Sequence, residues 1–119
     1  GVIGRPKKGI ETIVHELNSR YTLSVCSNTD PWHWEKVVKE VRFMDAFSHY
    51  FLSFELKLNK PDPAVFQNVL KTLQSLPEEC LFFDDTAENV EQANRMGVQA
   101  VLASNPATIR KELVFRGLL

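Results

Sequence analysis

The chain has 119 residues, 44% hydrophobic and 24% charged, the balance of a single soluble globular domain spanning 1–119. A net charge of -1 offers no basic face to nucleic acid or to an anionic membrane. No apolar run approaches the roughly 20 residues of a transmembrane helix. The start, Gly1-Val2-Ile3-Gly4-Arg5-Pro6-Lys7-Lys8, carries basic residues with no apolar core behind them, so no signal peptide is expected.

In chain order, 7–20 carries Ile10, Ile13, Val14 and Leu17 at the i, i+3, i+4, i+7 spacing of an amphipathic helix. Residues 21–26 are short and β-rich and read as a strand. Ser27-Asn28-Thr29 follows. Asp30 is then a helix cap with Pro31 at the first helical position. That helix, 31–41, is expected to bury Trp34, Val37, Val38 and Val41. After an apolar connector at 43–47, residues 50–54 read as a second strand and 55–63 as a loop. Asp62-Pro63 repeats the cap signal, and Phe66, Val69, Leu70 and Leu73 follow at helical spacing up to Leu76-Pro77. A third strand lies at 80–83, and a helix at 86–96 is stopped by Gly97 in the left-handed position. A fourth strand covers 98–102, and a last helix starts at Asn105-Pro106 with Ile109 and Leu113 inward. The alternation αβαβαβαβα predicts a parallel sheet covered by helices on both faces. Cys26 and Cys80 fall in predicted strands and read as reduced core residues of a cytosolic, cytoplasmic protein.

The densest chemistry is Cys80-Leu81-Phe82-Phe83-Asp84-Asp85-Thr86-Ala87-Glu88-Asn89. An apolar run bounded by polar residues is a buried strand of a parallel sheet, and the two carboxylates fall at its carboxyl end, where open α/β sheets bind ligands. Adjacent anions repel, and a hard cation such as Mg²⁺, bound through oxygen, relieves that repulsion. Ser27-Asn28-Thr29 and Lys60, within Leu58-Asn59-Lys60-Pro61-Asp62-Pro63, stand at or just beyond other strand ends. Parallel strands bring such ends to one edge. A hydroxyl, an ammonium and a carboxylate pair there suit an oxyanion held beside a metal. Trp32, His33 and Trp34 follow the serine motif; packing is the preferred reading for them over facing a substrate, because Trp is usually largely buried.

The order Ser27, then Lys60 in Lys-Pro-Asp-Pro, then Phe-Phe-Asp-Asp-Thr-Ala-Glu-Asn resembles motifs II, III and IV of the haloacid dehalogenase (HAD) superfamily. The resemblance runs from Arg5 to Leu119 and is nearest to small sugar-phosphate phosphatases and the phosphatase domains attached to epoxide hydrolases. It implies a HAD-like (Rossmann-like) fold and a Mg²⁺-dependent hydrolase that attacks a small phosphorylated metabolite through an aspartyl-phosphate. By the same resemblance Ser27 holds the phosphoryl group with the Asn28 amide near it. Lys60 bridges phosphate and nucleophile, Asp85 binds Mg²⁺ directly, Asp84 acts on it directly or through water, and Asn89 orients that shell. Lys57 stands where relatives often have glycine.

Motif I of that family, an Asp-x-Asp whose first Asp is the nucleophile, is absent from these residues: the first Asp is Asp30. The cap domain of relatives is absent too, and 1–8 would be where a cap returns to the core. The motif I strand normally lies between those of motifs II and IV, so two inner strand edges are expected either unpaired or forced together. Unpaired edges invite another chain, a second copy included. The readings that remain are the retained part of a phosphatase, a HAD-like module that holds Mg²⁺ or phosphate without chemistry, and a receiver-type signalling domain. Chain order opposes the last, because receivers place the acidic pair first and the lysine last.

Overall fold

A computed structural model describes residues 9–119. The start of the first predicted helix at 7–8 and the cap return at 1–8 lie outside the described residues. Helix α1 (Ile10–Asn18) turns Ile10, Ile13 and Val14 into the core, the stripe its spacing dictates. It is followed by β1 (Ser24–Ser27) and α2 (Pro31–Glu40), whose first turn is capped by the Asp30 carboxylate accepting the His33 N–H. A 3₁₀ turn at Met44–Ala46 leads to β2 (His49–Leu52) and the one-turn helix α3 (Ser53–Leu56). Next come α4 (Pro63–Leu73), a second 3₁₀ turn at Pro77–Glu79, β3 (Leu81–Asp84) and α5 (Ala87–Arg95). The chain closes with β4 (Gln99–Leu102) and α6 (Pro106–Phe115).

Pairing is parallel throughout. Ser24 to Ser27 lie opposite His49 to Leu52, and Leu81 to Asp84 lie opposite Gln99 to Leu102. Successive strand residues point to opposite faces, and each face has its own core. Val25 and Phe83 pack with Ile10, Ile13, Val14 and Leu113 of α1 and α6. Their neighbours Cys26 and Phe82 pack with Val65, Phe66 and Ala93 of α4 and α5. Helices therefore cover both faces, as the alternation requires.

Four departures from the sequence reading have physical causes. Among the described residues the strands form two two-stranded sheets, β1–β2 and β3–β4, and not one sheet of four. β1 and β3 face each other across an interval whose carboxyl end is bridged by the Lys60 ammonium, bonded to the Cys26 carbonyl on one side and the Asp84 carboxylate on the other. Second, β1 begins at Ser24, and Tyr21 and Thr22 are exposed. Third, β2 stops at Leu52, because the buried Ser53 hydroxyl bonds both the Thr29 N–H and the Thr29 carbonyl and draws the chain out of the ladder. Fourth, α2 buries no residue fully, and Val38 is 48% exposed where burial was expected. Trp34, Val37 and Val41 pack against the core but only partly, because a cavity of about 480 Å³ lined by Trp34 and Val37 lies between α2, β1 and the Met44–Ala46 turn; Val38 is not among its lining.

Candidate active site

Lys60 and Asp84 are the centre of the site. Asp84 ends β3 and Lys60 lies in the loop before α4, and their side chains are only 4% and 2% exposed. Lys60 Nζ donates to Asp84 Oδ2 at 2.6 Å and to the Cys26 carbonyl at 2.9 Å. Charges buried this deeply persist only when paired and hydrogen-bonded. Asp84 meets that condition fully: Oδ1 accepts the Thr86 N–H at 2.8 Å, and Oδ2 also accepts from Asn89 Nδ2 at 3.2 Å. Asn89 reaches it because the α5 helix places it, buried, in its first turn.

The Lys60 loop is fixed by Asn28. The Asn28 side-chain oxygen accepts the Lys60 N–H at 2.9 Å, and its amide donates to the Lys60 carbonyl at 3.1 Å. The sequence reading gave the Asn28 amide to a phosphate. In the structure both of its polar atoms hold Lys60, so its visible work is to position the lysine. Ser53, which sequence reasoning passed over, clamps Thr29 in the same way and fixes the other side of the Ser27-Asn28-Thr29 turn. Its place within the predicted 50–54 strand gave no signal of this role in the sequence.

Ser27 ends β1 half-buried, and Asp85 stands exposed beside buried Asp84. The two carboxylates thus differ sharply. Asp84 is bonded by an ammonium, a main-chain N–H and an amide, whereas among the described residues Asp85 has only a 3.5 Å contact from the Thr86 hydroxyl. Of the pair, Asp85 is the one free to bind a cation from solution, and it offers the hard oxygen that Mg²⁺ prefers. Among the described residues no group of three or more His, Cys, Asp or Glu side chains clusters as a metal cage. The donor set therefore fits Mg²⁺ as part of a site in which water or other oxygens complete the shell.

Nearby, burial pushes the Cys26 thiol up from its ordinary range. Both cysteines are free. Asp30 is held below its ordinary value by the hydrogen bonds from the main chain and ring of His33.

The model of the haloacid dehalogenase-like hydrolase family matches residues 4–103. Among curated proteins, D-ribitol-5-phosphate phosphatase of Bacteroides thetaiotaomicron is 29% identical over 103 residues, 82% of this chain and 50% of that protein. Mouse bifunctional epoxide hydrolase 2 is 33% identical over 67 residues, 56% of this chain and 12% of that protein. Among solved structures, a HAD family enzyme of Bacteroides thetaiotaomicron in complex with magnesium and inorganic phosphate superposes with a TM-score of 0.75 at 27% identity, covering 86% of this chain and 54% of that one. The chain thus spans at most about half the length of these curated relatives.

Proposed function

Because the chain belongs to the haloacid dehalogenase-like hydrolase family, we propose that it is the part of a Mg²⁺-dependent phosphatase that binds and neutralises a small phosphate ester, with the nucleophilic carboxylate on a segment preceding these residues. The observation that carries this reading is Lys60: a buried ammonium at the end of the interval between β1 and β3, with Asp84 and the Cys26 carbonyl as its anchors. A strand supplied to that interval would end beside Lys60. Two further features support it. The Ser24 hydroxyl is buried with no hydrogen-bond partner among the described residues, and it lines a small void of about 40 Å³ together with Phe82 of β3.

In the proposed reaction an Asp carboxylate oxygen forms the bond to phosphorus as the ester oxygen leaves, and water then cleaves the resulting aspartyl-phosphate. The chain's own residues prepare that step. The Ser27 hydroxyl donates to a phosphate oxygen. The Lys60 ammonium, held in place by Asn28 and Asp84, lies where the negative charge of nucleophile and phosphate meets, and such preorganised charge stabilises the transition state. Asp85 would hold Mg²⁺, with Asp84 and Asn89 orienting its surroundings. Bound Mg²⁺ supplies charge neutralisation on the phosphoryl oxygens. The magnesium and phosphate in the Bacteroides thetaiotaomicron structure, and the phosphate ester in the name of the ribitol phosphatase, support this choice of ligands.

No helix among the described residues is long and apolar enough to cross a membrane. The two free cysteines support a reducing, cytoplasmic setting.

The test is turnover of p-nitrophenyl phosphate with Mg²⁺ by the 119-residue chain and by an upstream-extended chain. Activity is expected only in the extended chain, and Asp85→Asn there should abolish it. Mg²⁺-dependent turnover by the 119 residues alone would place the nucleophile among them and overturn the division of roles. An extended chain that binds phosphate without hydrolysing it would instead favour a non-catalytic binding module.

A further inference from the structure

We propose that Trp32 is the platform for the leaving group of the substrate, and that the cavity under α2 accepts a phosphomonoester whose leaving group presents an apolar ring face. The inference rests on the phosphatase reading above and adds to it the part of the ligand that is not phosphate.

The two tryptophans after the serine motif behave oppositely. Trp34 is half-buried, set edge-on to Tyr50 with ring centroids 5.7 Å apart, packs against the core and lines the cavity under α2. Trp32 is 62% exposed, against the sequence expectation that it packs. Its exposure is not looseness. The His33 ring meets it T-shaped at 4.9 Å, and Lys36 Nζ stands 4.7 Å from its centroid. His33 is itself pinned, with Nδ1 2.5 Å from Asp30 Oδ2 and its N–H donating to Asp30 Oδ1. A large aromatic plane is therefore fixed in solvent on the first turn of α2, a few residues beyond Ser27. Ordering it in advance lowers the cost of binding a ligand against it.

The cavity beneath supplies the rest. Its volume of about 480 Å³ is in the range of small-molecule sites. Its polar side includes Ser27, His33 and Lys36, and its apolar side includes Val25, Val37 and Phe47. His33 and Lys36 line the cavity and both contact Trp32, so the indole lies one side chain beyond the cavity wall. Ser27, the residue assigned to the phosphate, is part of the same wall. A phosphate at Ser27 has this cavity beside it for its ester substituent, and in the proposal a ring too large for the cavity extends past His33 and Lys36 to Trp32. There an apolar ring face meets like surface, while His33 and Lys36 can bond its polar substituents.

The experiment is a titration of the 119-residue chain with Mg²⁺ and, separately, inorganic phosphate, glycerol 3-phosphate and phenyl phosphate, followed by NMR on main-chain amides and the two indole N–H signals. Phenyl phosphate should shift the Trp32 indole and bind about three- to tenfold more tightly than inorganic phosphate. Trp32→Ala should erase that preference while inorganic phosphate titrates as before, and Trp32→Phe should restore most of it. An unchanged phenyl-to-phosphate ratio in Trp32→Ala, or no preference in the parent chain, overturns the platform and leaves the phosphate site standing. If no ligand perturbs Ser27, Lys60 or Asp85, the phosphatase reading falls and takes this inference with it.

Discussion

At the scale of single residues, Lys60 and Asp84 show why a buried ion pair is costly to break and easy to misjudge. Removing one partner leaves the other charge stranded, which costs about 3–5 kcal/mol. Lys60→Met should therefore destabilise the chain by that amount in urea denaturation, and adding Asp84→Leu to it should recover much of the loss. Asp85→Asn, at an exposed carboxylate one position along, should leave stability within about 0.5 kcal/mol and act only on Mg²⁺ binding. Lys57 makes a different point. It closes α3 with φ 59, in the left-handed region that favours glycine. Lys57→Gly should raise stability by up to about 1 kcal/mol, visible as a higher urea midpoint. Nothing in the local sequence around Lys57 showed that this lysine would take the left-handed conformation.

At the scale of elements, most boundaries follow from caps that act locally. The Asn105 side chain accepts the Thr108 N–H at 2.9 Å ahead of Pro106, as its position predicts, and Asn105→Ala should cost about 1 kcal/mol. Helices α1 and α6 are tied by Arg110, which donates through two nitrogens to both oxygens of Glu16, at 2.9 and 3.2 Å. That guanidinium holds Glu16 below its ordinary value, and His33 does the same for Asp30. Groups with depressed folded values bind fewer protons than the unfolded chain near pH 4. Their contribution is complete above the ordinary carboxylate range and is lost as pH falls through the lowered folded values. Thermal stability should accordingly fall on the acid side, and Arg110→Ala should flatten part of that slope. The Arg110–Glu16 tie spans 94 residues of sequence, and no local pattern announces it.

At the scale of the molecule, the divided sheet decides the behaviour. β1 is bonded to β2 and β3 to β4, while the inner edges of β1 and β3 carry no ladder among the described residues. Main-chain amides on those inner edges should exchange with solvent faster than the amides paired within either two-stranded sheet, as measured by hydrogen exchange. In an upstream-extended chain the same amides should become protected. Open parallel edges also favour association, so the 119-residue chain should show concentration-dependent self-association that the extended chain lacks, measured by analytical ultracentrifugation.

The sequence by itself determined the longer helices, the strand order along the chain and the standing of Ser27, Lys60, Asp84 and Asp85 at or beyond strand ends, because periodicity, proline and cap signals, and the run of phenylalanines into aspartates are local properties; the short helix Ser53–Leu56 it did not show. It also made an interval between two inner strand edges foreseeable, because the strand expected there carries a motif these residues lack. Tertiary structure alone decided which partners each group takes. Asn28, expected near phosphate, grips the Lys60 main chain; Asp84 and Asp85, identical in type and adjacent, became a buried carboxylate with three donors and an exposed one with a single long contact. Trp32 and Trp34, two positions apart, were sent to opposite environments. Each of these outcomes depends on which distant segment lies alongside, and burial, charge pairing and exposure are set by that neighbour and not by the residue itself.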